Sequence, residues 1–215
     1  TSSTNAAVTS GFFNILTAGS LSTTQSGDQS ASGFTPKASL TWTPDESFMA
    51  YALVAKGFRF GGPNIIASTA FAVPNTYGSD SLVNYELGIR TNLLDNRLQF
   101  DATAYYVDWS DIQLQLYTPL GLAYVDNAGK ARTYGVEAAA TFRPTAGLTL
   151  QSTLTYLNGA LAEPFDAGAG APIIPKGATL PGASKWQLSN TISYEWASAP
   201  WRPVVLVSHR YVSKA

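Results

Sequence analysis

Charge is scarce in this chain. Only 13% of its 215 residues are charged, against about 25% in typical soluble domains, and Lys and Arg form no cluster. The electrostatic footprint of a nucleic-acid binder is therefore missing. Cysteine is absent, which excludes disulfide frameworks and thiolate metal sites together. Histidine occurs once, as His209, so a His cluster is excluded and a Ser-His-Asp triad would need partners that no local motif supplies. His209 is expected as a half-exposed strand residue. No apolar run approaches the roughly 18 residues of a membrane helix; the longest, "FMAYALVA" from Phe48 to Ala55, is far too short. If the chain enters a membrane, strands must carry it across. The opening "TSSTNAAV" offers no initiator Met, charged n-region or apolar h-region, so the chain is expected to be a segment of something longer.

What the sequence does contain is alternation of period two, the signature of strands whose side chains point to opposite faces. In "SLVNYELGIRTNLL" Val83, Tyr85, Leu87, Ile89 and Leu93 are apolar, while Asn84, Glu86, Arg90 and Asn92 are polar. Leu98, Phe100, Ala102, Ala104 and Tyr106 then oppose Arg97, Gln99, Asp101 and Thr103, and the pattern resumes at Ile112, Leu114 and Leu116. "GVEAAATF", "LTLQSTLTY" and "KWQLSNTISYEW" repeat it. Three further segments are less tidy: "PKASLTW" is short, "SFMAYALVAKGFRF" is apolar on both faces, and "RPVVLVSHRYV" is ambiguous and carries Pro203.

The connections fall into two classes. Short ones with Pro, Asp, Asn and Gly occur at "TPDES", "LLDNR", "RPTAG" and "ASAPW", where turn chemistry requires such residues. Long ones span residues 61 to 80 and 161 to 184, with a shorter one near "TPLG". An antiparallel meander of about eight strands, with tight turns at one end and long loops at the other, is the outer-membrane barrel pattern. A soluble β-sandwich also alternates, but its strands usually run about 5 to 6 residues, and the alternation from 97 to 117 lasts much longer. Trp42, Trp109, Trp186, Trp196 and Trp201 lie near strand ends, as interfacial girdles do.

No local motif indicates catalysis. Asp108 and Asp111 are three apart, so on a strand they face opposite ways and cannot share acid-base work without a bulge; they are expected at a solvated outer rim. "KGFRFGG" has no Gly-Lys-Ser/Thr ending and leads into no helix, so it is a poor phosphate cradle. It is expected as a strand leaving a membrane into a turn.

Three longer strings add a resemblance: "GFTPKASLTWTPDESFMAYALVAKGFRFGGPN", "NYELGIRTNLLDNRLQFDATAYYVDWSDIQLQ" and "YVDNAGKARTYGVEAAATFRP". In order, spacing and the Lys-Gly-Phe-Arg, Tyr-Glu-Leu-Gly and Gly-Val-Glu landmarks, they resemble consecutive barrel strands of TonB-dependent outer-membrane receptors, over residues 33 to about 196. The resemblance implies an all-β fold, an antiparallel meander of about eight strands cut from a barrel of about 22. It also implies a non-enzymatic receptor in the outer membrane of a Gram-negative bacterium, without cofactor. Such a receptor takes up a scarce nutrient, commonly a ferric siderophore, with a plug domain in its lumen and power from the TonB complex. Residues 1–32 are expected as an irregular lead-in and 33–215 as partial barrel. No plug or TonB box is visible, and "HRYVSKA" lacks the terminal aromatic of a final strand, so an internal segment is expected.

On this reading Leu98, Phe100, Ala102, Ala104 and Tyr106 face lipid. Glu86, Arg90, Asp101 and Glu137 face the lumen and either contact the plug through charged hydrogen bonds or are simply solvated. Ligand contacts are expected from the loops at 61–80 and 161–184. Two rivals stay open: a small complete outer-membrane barrel with a structural or adhesive role, and a secreted β-sandwich that binds carbohydrate.

Overall fold

The computed structural model describes residues 21–22, 34–65, 67–68, 71, 73–166, 173–182 and 184–214. The regular elements among them are all strands. In chain order they are β1 (Leu21–Ser22), β2 (Lys37–Asp45), β3 (Phe48–Arg59), β4 (Gly62–Pro63), β5 (Ala67–Ser68), β6 (Thr76–Tyr77), β7 (Asp80–Leu93), β8 (Leu98–Ser110), β9 (Gln113–Tyr117), β10 (Ala123–Asn127), β11 (Lys130–Phe142), β12 (Leu148–Leu161), β13 (Trp186–Glu195) and β14 (Val204–Val212). Eight of these form one antiparallel sheet in the order β14-β13-β12-β11-β8-β7-β3-β2. A sandwich needs two packed sheets, so that rival falls. Of the expected lead-in, only β1 lies within the described residues, paired with β5.

Register explains the alternation. Tyr85 lies opposite Tyr106, Leu87 opposite Ala104 and Ile89 opposite Ala102, and the same row structure continues through Tyr134, Val136 and Ala138 of β11. The large side chains of this face stay exposed, among them Leu87, Val136, Leu154 and Ile192. A sheet of half-apolar strands that leaves its apolar face uncovered is suited to lipid on that side. The described residues accordingly form no core within the sheet. Apart from glycines and Thr91, the buried residues lie at the long-loop end, around Ile112, Ala128, Ala131, Leu161 and Phe165.

The tight turns gather at the opposite end. In "LLDNR" three successive residues, Leu94, Asp95 and Asn96, take φ of 54°, 53° and 64°, and the Arg97 N–H closes on the Leu94 carbonyl at 3.1 Å.

Two glycines set the approach of strands on the polar face. Gly88 lies opposite Tyr51 and Gly135 opposite Tyr105. Both glycines are buried, each beneath the tyrosine ring, and Tyr51 Oη also shares a 3.0 Å hydrogen bond with Thr103 Oγ1. A tyrosine laid over a facing glycine keeps the area that the missing side chain would otherwise expose. These glycines belong to the Tyr-Glu-Leu-Gly and Gly-Val-Glu landmarks.

Two expectations are corrected. The long alternation from 97 to 117 is not one strand. It bends at Asp111 (φ 56°) opposite Gly129 (φ 70°), and only β8 belongs to the main sheet while β9 pairs with β10. Register survives the bend, because Ser110 faces Lys130 below it and Gln113 faces Asn127 above it. One kinked hairpin therefore carries the chain beyond the sheet. Trp109 is not a girdle residue either. Its parity places it on the polar face, where its indole donates to Asp80.

Candidate functional site

The long-loop end is built around Asp80, the first residue of β7. Its register partner is Arg59, the last residue of β3. The Arg59 Nε lies 3.1 and 3.0 Å from the two carboxylate oxygens, and Arg59 Nη2 also donates to Oδ2. Trp109 Nε1 donates to Oδ2 at 3.0 Å and the Gln113 N–H at 3.3 Å, while the guanidinium lies 4.8 Å over the Trp109 ring. Asp80 is 2% exposed and sits beyond the aromatic row Tyr85–Tyr106–Tyr134. Burial pushes its carboxyl up, but the Arg59 hydrogen bonds, the Gln113 N–H, the Arg59 charge and the Trp109 indole outweigh that and hold it below the usual carboxylate range.

Two asparagines fasten the neighbouring loop to the kinked hairpin. Buried Asn64 donates to the carbonyls of Pro74 and Val125, both at 2.9 Å, and accepts from the Val125 N–H at 2.8 Å. Asn127 accepts from the Gly78 N–H at 2.6 Å and donates to the Asp111 carbonyl at 2.7 Å. Each amide satisfies backbone groups that a loop crossing a hairpin would leave unpaired.

Beside this scaffold a cavity of about 370 Å³ opens among Trp109, Ile112, Leu114, Leu116, Ile174 and Leu180. Arg59, Gln113, Gln115 and Thr179 supply its polar edge. The floor is the small core already described, held by the pairing of Phe165 with Ile174 and Ala160 with Thr179. Its one charged lining residue, Arg59, is paired with Asp80. The wall is thus largely apolar, and its one charged side chain is neutralised by its partner. Such a surface takes an apolar or aromatic part of a ligand and orients it with a few amide and hydroxyl groups.

Glu86, Arg90, Asp101 and Glu137 share the polar face of the sheet but lie apart from this cavity. Arg90 Nε donates to Asp101 Oδ1 at 2.6 Å, a pair exposed to 66% and 47% and so worth about 1 kcal/mol at most. Glu86 accepts from Asn84 Nδ2 at 2.7 Å. Glu86 and Glu137 line a shallow depression with Tyr51, Thr103 and Tyr105. Of the two loops expected to bear ligand contacts, the later one walls the cavity through Ile174 and Leu180, whereas 61–80 braces the hairpin from elsewhere. The sequence reading missed Asp80, Arg59 and Trp109 as a unit. The signal available was a lone Arg ending one strand and a lone Asp starting the next, but only register makes them partners. Asp108 pairs with Arg132 at 3.6 Å, and exposed Asp111 occupies the bend, so the two do not converge.

The family model described as TonB dependent receptor-like, beta-barrel, matches residues 4–215. A pesticin receptor of Yersinia enterocolitica is 35% identical over 99 residues, 46% of this chain and 14% of that protein; the pesticin receptor of Yersinia pestis matches to the same extent. Among solved structures, the ferric yersiniabactin uptake receptor FyuA from Yersinia pestis superposes with TM-score 0.56 at 23% identity, over 74% of this chain and 22% of that one. The FrpB iron transporter from Neisseria meningitidis gives TM-score 0.61 at 16% identity, over 85% and 26%. The matched regions are thus about a seventh of the curated relatives and about a quarter of the solved chains.

Proposed function

Because the chain belongs to the TonB-dependent receptor β-barrel family, proteins of the Gram-negative outer membrane, we propose that it forms part of the wall and outer mouth of an energy-coupled nutrient transporter. The ligand class we assign is a ferric siderophore or a comparably amphipathic small nutrient. The observation that carries this reading is the largely apolar cavity at the long-loop end, the end that on this reading faces the outside, with Arg59 as its one charged and paired lining residue. The relatives' names support the class: a ferric yersiniabactin uptake receptor and the siderophore receptor PiuA from Acinetobacter baumannii are similar in fold. Residues 33–215 are then partial barrel, and the plug and the TonB-contacting box belong to the longer receptor. We assign no catalytic residue.

In the full receptor, Leu116→Asp and Leu180→Asp are expected to weaken binding of the cognate radioiron-loaded siderophore by about 10- to 100-fold, because each would place a charge in a desolvated contact. The readout is equilibrium binding to whole cells, with catecholate, hydroxamate and phenolate siderophores screened in turn. Unchanged affinity in both variants would remove this wall from the ligand path.

Glu86, Arg90, Asp101 and Glu137 are proposed to face the lumen, with Glu86 and Glu137 accepting hydrogen bonds from the plug. Replacing both glutamates by Gln is expected to raise protease cleavage of the plug several-fold. No change in cleavage or uptake would leave them as lumen solvation only.

A further inference from the structure

The charge of Arg59 is cancelled before a ligand reaches the cavity. Asp80 is 2% exposed and is not itself part of the lining, so a ligand meets that carboxylate only through the guanidinium it holds. Its carboxyl stays below the usual range, which keeps the pair ionised, and neutral in sum, at neutral pH. The other polar groups of the wall are uncharged and are left mainly as acceptors. Gln113 gives its amide hydrogens to the Phe60 and Gly78 carbonyls, at 2.9 and 3.0 Å, and Gln115 Nε2 donates to Tyr117 Oη at 2.8 Å. Each amide retains a carbonyl oxygen, which accepts from an O–H or N–H of a ligand and repels its anionic oxygens.

The surroundings add negative charge to this neutral wall. Residues 61–80 carry no charge besides Asp80, 111–130 carry Asp111 and Asp126 against Lys130, and 161–184 carry Glu163 and Asp166 against Lys176. The last two connections thus each hold one more acid than base. The depression of the polar face that shares Trp109 with the cavity is lined by two carboxylates, Glu86 and Glu137, and by no cation. A field of this sign lowers the local concentration of a polyanion and leaves that of an uncharged molecule unaltered.

We propose that the cavity selects an iron chelate of little or no net charge over a polyanionic one, and that Asp80 is the positioning residue that sets this preference by cancelling Arg59. The ligand class is then a chelate whose donor groups together just neutralise the ferric ion, as in a tris-hydroxamate. A tris-catecholate, whose donors each carry a double charge, leaves the complex trianionic and disfavoured. The inference rests on the ferric-chelate reading of this cavity.

The test measures equilibrium binding of radioiron-loaded hydroxamate, phenolate and catecholate chelates to the full receptor, with the chelates sorted by the net charge of the ferric complex. The tightest binder is expected to be neutral or monoanionic, and to bind about tenfold or more tighter than any trianionic chelate. Asp80→Asn keeps an acceptor for the Trp109 indole and the Gln113 N–H while freeing the Arg59 charge. It is expected to shift the ratio of affinities towards the trianionic chelates by about tenfold, since one freed cation acts on three ligand charges, and the shift should shrink as salt is raised. The double variant Asp80→Asn with Arg59→Gln is expected to return the ratio to that of the unaltered receptor. A loosened wall would instead weaken all chelates together and persist in the double variant. A trianionic chelate as the tightest binder, a ratio that Asp80→Asn does not move, or a shift that survives in the double variant would each overturn the proposal. If the unaltered receptor bound no chelate of any charge, the ferric-chelate reading itself would fall, and the proposal with it.

Discussion

Gly135→Val is expected to reduce assembled receptor in the outer membrane at least tenfold, measured as the heat-modifiable band in membrane fractions. A Cβ at this position would fall on the backbone carbonyl oxygen of Tyr156 and on the Tyr105 phenol. The phenol could swing aside, but the carbonyl belongs to the strand next to β11 and cannot move without parting the ladder between Gly135 and Leu157. Overpacking of this kind commonly costs 1–3 kcal/mol and exceeds about 3 kcal/mol where backbone must shift. Gly88→Ala supplies the control. There the atoms nearest the new methyl all belong to the Tyr51 side chain, which can rotate at the loss of its bond to Thr103, so assembly is expected to persist with a cost of about 1 kcal/mol. Equal assembly of the two variants would mean that the two glycines are not distinguished by what lies above them.

Asp80→Ala is expected to lower hydrogen-exchange protection of the Gln113 amide and the Trp109 indole by about 100-fold, while amides in the middle of β11 and β12 stay unchanged. The substitution removes the shared acceptor of Arg59, Trp109 and Gln113 at once. Leaving a cation beside a vacated carboxylate site costs about 3 kcal/mol or more in a fully buried pair. Arg59 is half exposed and recovers part of this through water, so the lower end applies. The loss stays local because the outer end has its own small core and can open without unzipping the sheet. The pH dependence follows from the depressed carboxyl. Its stabilisation is fully present above the ordinary value of 3.8 and is lost as pH falls below that value through the folded-state one. Protection of Gln113 in the unaltered receptor should therefore be flat from neutral pH to about pH 4.5 and then fall, whereas the Asp80→Ala receptor should lack that step.

The strands were legible because lipid and water impose period two on every residue between the girdles. Leu87 and Glu86 differ in face for one reason, and a single sequence displays it. Trp109 was misassigned for a related reason. Proximity to a strand end suits both a girdle and a buried rim residue, and parity, available throughout, pointed to the polar face.

Taken alone, the sequence determined the sheet, its two chemically distinct faces, the end that carries tight turns and the family, all of which follow from local alternation and turn chemistry. Tertiary structure decided what lies at the other end. Arg59 meets Asp80 across a loop of twenty residues, the hairpin bends where Asp111 and Gly129 both take left-handed backbone, and Asn64 and Asn127 tie loops whose sequences share no pattern. Those partners are far apart in the chain and are chosen by register and packing, which no period in a single sequence encodes.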